Sequence, residues 1–186
     1  MRARPIPLLL VLVLVWPWAV PAGACVADAL RPGYRIPPAA EGRRLFYIQR
    51  SLNTNTVVYV ARLREDGRLE PRRPVAAFWR VFERGGRRSA LTWAEARLAY
   101  GVRAEPMGGG RFRLHLVSRP GRSAELYQDP GGGLHLEGTV AGRRAELICA
   151  FVQLEDDRAA LPEVAYVDLY GRDLATGTLL HERIEE

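Results

Sequence analysis

The chain has 186 residues, enough for a domain that buries its own core, and all 27 of its basic residues are arginines, giving a net charge of +6. The arginines are scattered, often in pairs such as Arg43-Arg44 and Arg143-Arg144, and no basic stripe alternates with stacking aromatic residues. This pattern argues against nucleic acid as a partner, but it is compatible with a surface that attracts anions, including phospholipid headgroups.

The first 24 residues have the three-part layout of a secretory signal peptide. Arg2 and Arg4 precede an apolar stretch from about Leu8 to Val20, and the small residues Ala22-Gly23-Ala24 follow. The apolar stretch is short and interrupted by proline, unlike a membrane span of about 20 residues, although a retained membrane anchor is the competing interpretation. We expect cleavage before Cys25 and export to the periplasm or the envelope membrane, with the net charge falling from +6 to +4 as two arginines are removed.

The chain has two cysteines, Cys25 and Cys149. Cys25 follows the cleavage pattern directly, as the acylated cysteine of a bacterial lipoprotein does, although Ala22 stands where such proteins usually have Leu. We therefore predict a lipid anchor at Cys25, with a disulfide to Cys149 as the alternative in an oxidising compartment. Cys149 lies within the apolar run ELICAFVQL, which favours a buried position.

Residues 25–42 are rich in proline and glycine, which predicts an irregular tether before a single domain over residues 43–186. Beyond the tether, apolar residues alternate with a period of two and are separated by turn residues such as Asp66-Gly67 and Pro120-Gly121. The candidate strands are 44–50, 56–64, 75–84, 111–118, 123–128, 134–140, 145–154, 164–170 and 178–184. Short connections predict a mainly β fold, an antiparallel meander of about nine strands closing into a small barrel or a sandwich.

One segment departs from the strand pattern. In ALTWAEARLAYGV, Thr92 and Glu95 have capping-box spacing, residues 93–100 suit a short helix, and Gly101 occupies the position of a left-handed C-terminal cap. The glycine-rich pieces MGGGR and DPGGGL lack the spacing of a phosphate-binding loop, so we read them as hairpin turns. The sequence therefore predicts one short α-helix and no nucleotide cofactor.

The chain offers no complete catalytic constellation. His115, His135 and His181 lie on different candidate strands without metal-ligand spacing, so we predict no metal site, and none of the serines stands in a Gly-x-Ser-x-Gly elbow. Asp168 lies in phase with Tyr166 and Tyr170, so it is either a buried acid that needs an arginine partner or a residue on the solvated face of a strand.

Three separated stretches, LFYIQRSLNTNTVVYVARL, ARLAYGV and VAYVDLYGRDLATGTLLHE, resemble the hallmark segments of an uncharacterised family of exported bacterial domains of unknown function. The resemblance runs from about Leu45 to Glu182. It implies a cell-envelope protein but no established activity, cofactor or catalytic residue.

The polar segment between the first two candidate strands, QRSLNTN, has two interpretations. Asn53 and Asn55 suit a turn, because asparagine tolerates left-handed backbone and caps nearby amides. A ligand-binding rim would also account for Arg50 at the strand end. The candidate ligand-binding residues are Arg50, Asn53, Asn55, Arg97, Tyr100 and Asp168.

Two classes of function follow from these residues. The first, which we favour, is a non-enzymatic binding or scaffolding module of the envelope, acting on a small anionic or sugar-like ligand or on a partner protein. The second is a periplasmic hydrolase of unrecognised type, using Asp168 or a histidine with help from arginine.

Overall fold

The computed structural model describes residues 34–37, 43–155 and 163–185. The predicted signal peptide, Cys25 and most of the predicted tether lie outside these residues. The described strands are β1 (Arg44–Arg50), β2 (Asn53–Ala61), β3 (Val75–Val81), β4 (Arg87–Ala90), β5 (Val102–Gly108), β6 (Arg111–Leu116), β7 (Ala124–Gln128), β8 (Leu134–Val140), β9 (Arg143–Leu154), β10 (Val164–Asp173) and β11 (Leu179–Glu185). A 3-10 turn, Phe82–Arg84, follows β3, and one α-helix, α1 (Trp93–Leu98), lies between β4 and β5 in the described part of the chain.

All eleven described strands belong to one sheet, which forks at β9. The main path runs in the order β4-β3-β2-β1-β9-β8-β7-β6-β5. One edge of β9 pairs with β8 near its start and with β1 near its end, while its other edge pairs with β10, which in turn pairs with β11. The nine-stranded path curls into a half-barrel.

The prediction of a mainly β, antiparallel fold with one short helix is confirmed. Strands β1 and β8 have the predicted limits, whereas β4 and β5 were not predicted, so the described chain has eleven strands instead of nine. The pairing of β1 with β9 is parallel, an exception to the antiparallel meander. The barrel-or-sandwich alternative resolves into a half-barrel, since the sheet curls without closing through hydrogen bonds between β4 and β5.

Alternating side chains divide the sheet into a concave inner face and a convex outer face. The main core lies on the inner face and includes Phe46, Ile48, Tyr59, Trp79 and Phe112. Two smaller clusters pack on the outer face, one around Tyr47, Cys149 and Tyr170 and one around Val58, Val60 and Phe78. Burying each large side chain in this way stabilises the fold by about 1.5–3 kcal/mol.

The two ends of the helix α1 have different structures. Thr92 and Glu95 form the predicted capping box, in which the Thr92 hydroxyl accepts from the Glu95 amide at 3.2 Å. The prediction of a left-handed cap at Gly101 is wrong, since Gly101 is not among the described residues with positive φ. Glycine is needed there because a Cβ would lie 1.8 Å from the carbonyl oxygen of Ala96. No helix in the described ranges is long and apolar enough to cross a bilayer.

Candidate ligand-binding cavity

The concave face of the half-barrel encloses a cavity of about 1420 Å³. This volume exceeds the roughly 300–1,000 Å³ that is typical of sites for drug-sized ligands. Aliphatic and aromatic side chains form most of the lining, including Ile48, Leu114, Ala150, Val152, Val167 and Leu169. The cavity can therefore accept a ligand with a large apolar body.

The period-two pattern of the strands places these side chains on the cavity. In β9, Ala150 and Val152 point to the inner face, and Leu169 and Val167 are their register partners in β10. The intervening residues, such as Cys149 and Asp168, point to the outer face. The same alternation that builds the core thus builds the lining.

Arg50 places a charge at the end of β1, in a lining that also includes two other arginines and four glutamates. Its guanidinium lies 4.6 Å from the centre of the Trp79 ring, and its Nη1 is 3.5 Å from the hydroxyl of Tyr100. Trp79 and Tyr100 meet edge to face with their ring centroids 5.2 Å apart. Arg50, Tyr100 and Glu95 all line the cavity. These residues bring together strands β1 and β3 and the segment after α1.

Glu95 is the acidic member of this group. Its Oε1 accepts a hydrogen bond from the indole Nε1 of Trp79 at 3.1 Å, and its Oε2 accepts from the backbone and hydroxyl of Thr92 at 2.7 and 2.9 Å. Burial opposes ionisation of Glu95, but the hydrogen bonds from Thr92 and Trp79 and the positive charge of Arg50 lower its pKa. Both carboxylate oxygens are therefore engaged by Thr92 and Trp79, and Glu95 is held ionised close to Arg50.

Arg50 retains unused hydrogen-bonding capacity. Its Nε is buried and has no hydrogen-bond partner among the described residues, and its contact with the Tyr100 hydroxyl is long. Leaving a buried N–H group of a charged side chain unsatisfied costs about 1–3 kcal/mol or more. An anionic group in the cavity would satisfy this donor.

Two side-chain hydrogen bonds beside Arg50 hold the segment after α1 against the sheet. The buried hydroxyl of Tyr59 donates to the carbonyl oxygen of Tyr100 at 2.9 Å, and the Ser118 hydroxyl donates to the carbonyl oxygen of Ala99 at 2.7 Å. These bonds join β2 and the loop after β6 to the link between α1 and β5. The polar end of the cavity is thus held by bonds across the curl of the sheet.

The structure does not place Asn53, Asn55 and Arg97 in the cavity lining. The Asn53 Oδ1 accepts from the Asn55 amide at 3.0 Å, as in an Asx turn, and the Asn55 Nδ2 donates to Glu83 Oε2 at 3.2 Å. Arg97 lies on α1 with its guanidinium 5.7 Å from the centre of the Trp93 ring. Of the six predicted residues, Arg50 and Tyr100 are the two that the structure brings together at the cavity.

Asp168 lies on the outer face of the sheet, away from the cavity lining. Its carboxylate is 1% exposed and accepts from Arg183 Nε and Nη2 at 2.8 and 3.1 Å, and it contacts His181 Nε2 at 2.9 Å. The first sequence alternative, a buried acid with an arginine partner, is confirmed. Burial opposes ionisation, but the hydrogen bonds from Arg183 and His181 lower the pKa of Asp168 to about 2.

Cys149 and the two remaining histidines also have partners in the structure. Cys149 is buried between Tyr47 and Tyr170 on the outer face, and its suggested partner Cys25 lies outside the described residues. His135 contacts Asp129 Oδ2 at 3.0 Å, and His115 contacts the carbonyl oxygen of Pro120 at 3.1 Å. Within the described ranges, no group of three or more His, Cys, Asp or Glu residues could hold a metal ion.

Comparison with known proteins identifies the family of the chain. Residues 46–183 match the model of a family described as a domain of unknown function, DUF4833. The chain belongs to this family. The sequence-based resemblance to a family of domains of unknown function is thereby confirmed. No curated protein and no solved structure matches the chain.

The DUF4833 match extends from β1 to β11 and so includes both the cavity and the Asp168 cluster. Sequence reasoning did not identify Trp79 and Glu95 as partners of Arg50. The sequence pattern indicated a different role for each, since Trp79 lies in an apolar candidate strand and Glu95 is part of a capping box. Their second contacts depend on the curl of the sheet, which brings α1 against β3.

Proposed function

We propose that this DUF4833 protein is a cell-envelope binding module that holds an elongated apolar ligand with a small anionic head. The observation that carries the proposal is the large, mainly apolar cavity whose lining includes Arg50, with its buried Nε lacking a hydrogen-bond partner among the described residues. The apolar body would pack against the inner faces of β1, β6, β9 and β10, while the head would accept hydrogen bonds from the Arg50 guanidinium. A fatty acid is the simplest compound with this chemistry.

The lining favours an amphipathic ligand over the sugar-like ligand suggested by the sequence. A sugar needs many polar partners, because each buried hydroxyl without a hydrogen bond costs about 1–3 kcal/mol. The inner faces of β9 and β10 offer Ala150, Val152, Val167 and Leu169, which cannot make hydrogen bonds through their side chains. An acyl chain makes no such demand and gains from apolar burial.

The described geometry gives less support to a hydrolase. Asp168 and His181 lie within hydrogen-bond distance, but on the face of the sheet opposite the cavity, where Arg183 also occupies the carboxylate. His115 lines the cavity and contacts the carbonyl oxygen of Pro120. Glutamates line the cavity as well, but the hydrogen-bond partner of the His115 ring is this backbone carbonyl and not a carboxylate.

The envelope location rests on the sequence. A basic start, an apolar stretch and a small-residue cleavage pattern precede Cys25, which supports export and, through acylation of Cys25, attachment to a membrane. An exported module with an apolar cavity would be suited to holding a lipid-like compound in the aqueous periplasm.

The proposal predicts that saturated fatty acids stabilise the protein against heat more than fatty alcohols of equal length. Binding to the native state raises the melting temperature by mass action, and a carboxylate adds a charge-assisted contact with Arg50. Thermal-shift measurements with both series, followed by titration of the best acid, provide the test. Loss of the charged contact should weaken binding tenfold or more, equivalent to about 1.5–3 kcal/mol.

Matched variants locate the ligand. Arg50→Gln should reduce acid binding to the level of the alcohol, while Arg113→Gln, on the exposed face of β6, should leave binding unchanged. Ala150→Phe should fill part of the cavity and weaken both series while preserving the strand-dominated circular dichroism spectrum. The proposal fails if no member of either series stabilises the protein, or if Ala150→Phe binds them as well as the wild type.

A further inference from the structure

The helix α1 presents its apolar residues to solvent and its acidic residue to the protein body. Trp93 and Leu98 are 76% and 69% exposed, the two most exposed large hydrophobic side chains among the described residues. Glu95, in contrast, points inward to the Trp79 indole and the helix cap. A surface helix normally has the opposite arrangement, with its apolar stripe facing the core.

Helical geometry places the exposed groups on one arc. At 100° per residue, Trp93, Arg97, Ala94 and Leu98 span about 140°, and Glu95 lies outside that arc. The Arg97 guanidinium covers one side of the Trp93 ring at 5.7 Å. The solvent face of α1 therefore combines an indole, an isobutyl group and a cation, without an acid.

The stretch of chain around α1 is rich in arginine. The segment from β3 to β5, residues 80–103, contains six arginines, Arg80, Arg84, Arg87, Arg88, Arg97 and Arg103, and two glutamates. Both glutamates have partners in the structure, Glu83 with Asn55 and Glu95 with Thr92 and Trp79. Exposed apolar side chains that include an indole, beside Arg97 and within an arginine-rich stretch, have the composition of a surface that inserts into the headgroup region of an anionic bilayer.

We propose that α1 docks on an anionic lipid bilayer through Trp93, Leu98 and Arg97. Charge complementarity favours a lipid surface over a second copy of this chain, because two copies would bring like-charged α1 surfaces together. The purpose of docking rests on the function proposed above. Residues Glu95, Ala99 and Tyr100 line the cavity directly beside the exposed arc, so docking would place the polar end of the cavity at the bilayer.

The test uses the full chain purified from a bacterial host and vesicles of phosphatidylglycerol or phosphatidylcholine. Because the wild type and every variant carry the same N-terminal residues, differences between them report on α1. Cosedimentation should be stronger with phosphatidylglycerol and should weaken in salt of about 0.5 M. Trp93→Ser with Leu98→Ser should reduce partitioning roughly tenfold or more, because the binding of an interfacial helix scales with its buried apolar area.

A position-specific signal separates docking from attraction elsewhere. Brominated phosphatidylglycerol should quench part of the tryptophan fluorescence of the wild type, and that part should be absent in the conservative variant Trp93→Phe. Leu174→Ser, which removes an exposed apolar side chain from the turn after β10, is the control and should partition like the wild type.

Three outcomes overturn the proposal: equal partitioning of the double variant and the wild type, equal quenching in Trp93→Phe, or a concentration-dependent dimer that the double variant abolishes. Titration of a fatty acid without vesicles then separates the two proposals. If the double variant binds the acid normally but the wild type does not dock, docking alone is wrong. If docking is present but no acid binds, the proposed ligand is wrong.

Discussion

Asp168 is a charged residue whose contacts stabilise the pairing of two strands. Its side chain is almost completely buried, yet the carboxylate keeps its charge because the Arg183 guanidinium donates one hydrogen bond to each carboxylate oxygen and His181 contacts Oδ1. The tyrosines in phase with it cover the cluster: the Tyr170 ring stacks on His181, and the Arg183 guanidinium lies 3.8 Å from the centre of the Tyr166 ring. The cluster thus joins β10 to β11 on the outer face of the sheet.

This cluster predicts a pH-dependent stability. The pKa of Asp168 is about 2 in the native state, compared with its ordinary value of 3.8. The ionised carboxylate therefore contributes fully to the free energy of unfolding above about pH 4, and this contribution is lost as the pH falls toward 2. The difference in free energy of unfolding between the wild type and Asp168→Asn should be about 2 kcal/mol at pH 7 and should shrink below pH 4. Urea denaturation from pH 2.5 to 7 measures it. A constant difference across this range would contradict the assignment.

An exposed carboxylate serves as the control for that series. Glu65, in the turn between β2 and β3, is exposed, and Glu65→Gln should change the free energy of unfolding by less than about 0.5 kcal/mol. Other carboxylates also protonate in acid, so the comparison depends on the difference between variant and wild type and not on either curve alone.

At the scale of elements, α1 is short and depends on its cap. A helix of six residues is too short to be stable from its own hydrogen bonds, so the Thr92 and Glu95 capping box and the Trp79 contact hold it in place. Thr92 and Glu95 could be identified from sequence because a capping box is local. The inward direction of Glu95 could not, because it requires β3 to lie beside the helix.

Removing the cap should loosen α1 without unfolding the sheet. Thr92→Ala deletes the hydroxyl that bonds to the Glu95 amide, at a cost of about 1 kcal/mol. Faster hydrogen exchange is expected at the amides of residues 95–100, with little change in β9. Ser89→Ala, on exposed strand β4, is the matched control. Unchanged exchange in the helix of Thr92→Ala would show that the bonds from the Thr92 amide and the Trp79 indole to Glu95 are enough to hold α1.

The strands that the sequence predicts correctly are more buried than the two that it does not predict. β1 and β8 carry buried residues and turn residues at both ends, which made their limits predictable. β4 has four exposed residues, RRSA, and in β5 the alternation of Val102 to Glu105 is short and is cut off by Pro106 and a terminal glycine. They lie at the two ends of the main sheet path, where one edge needs no partner and burial is least.

At the scale of the whole molecule, the fork at β9 is the feature that produces the cavity. Because β9 pairs with β10 on one edge and with both β8 and β1 on the other, inward side chains of all four strands line the same cavity. The apolar lining has the same period-two pattern as a filled core, so sequence could predict apolar inner faces but not the space between them. The parallel β1–β9 pair joins residues about a hundred positions apart and has no local signal.

Export is the prediction that concerns the whole chain, and it rests on residues 1–25. Expression with the native leader in a bacterial host should yield a protein whose intact mass lacks residues 1–24, because the basic start, apolar stretch and Ala-Gly-Ala pattern direct cleavage before Cys25. An added acyl mass would identify a lipoprotein, whereas the unmodified mass would identify a soluble periplasmic protein. Cys25→Ser should remove any acyl mass, while Cys149→Ser should leave it in place. A chain that retains Met1 in the membrane fraction would contradict cleavage and favour a retained anchor.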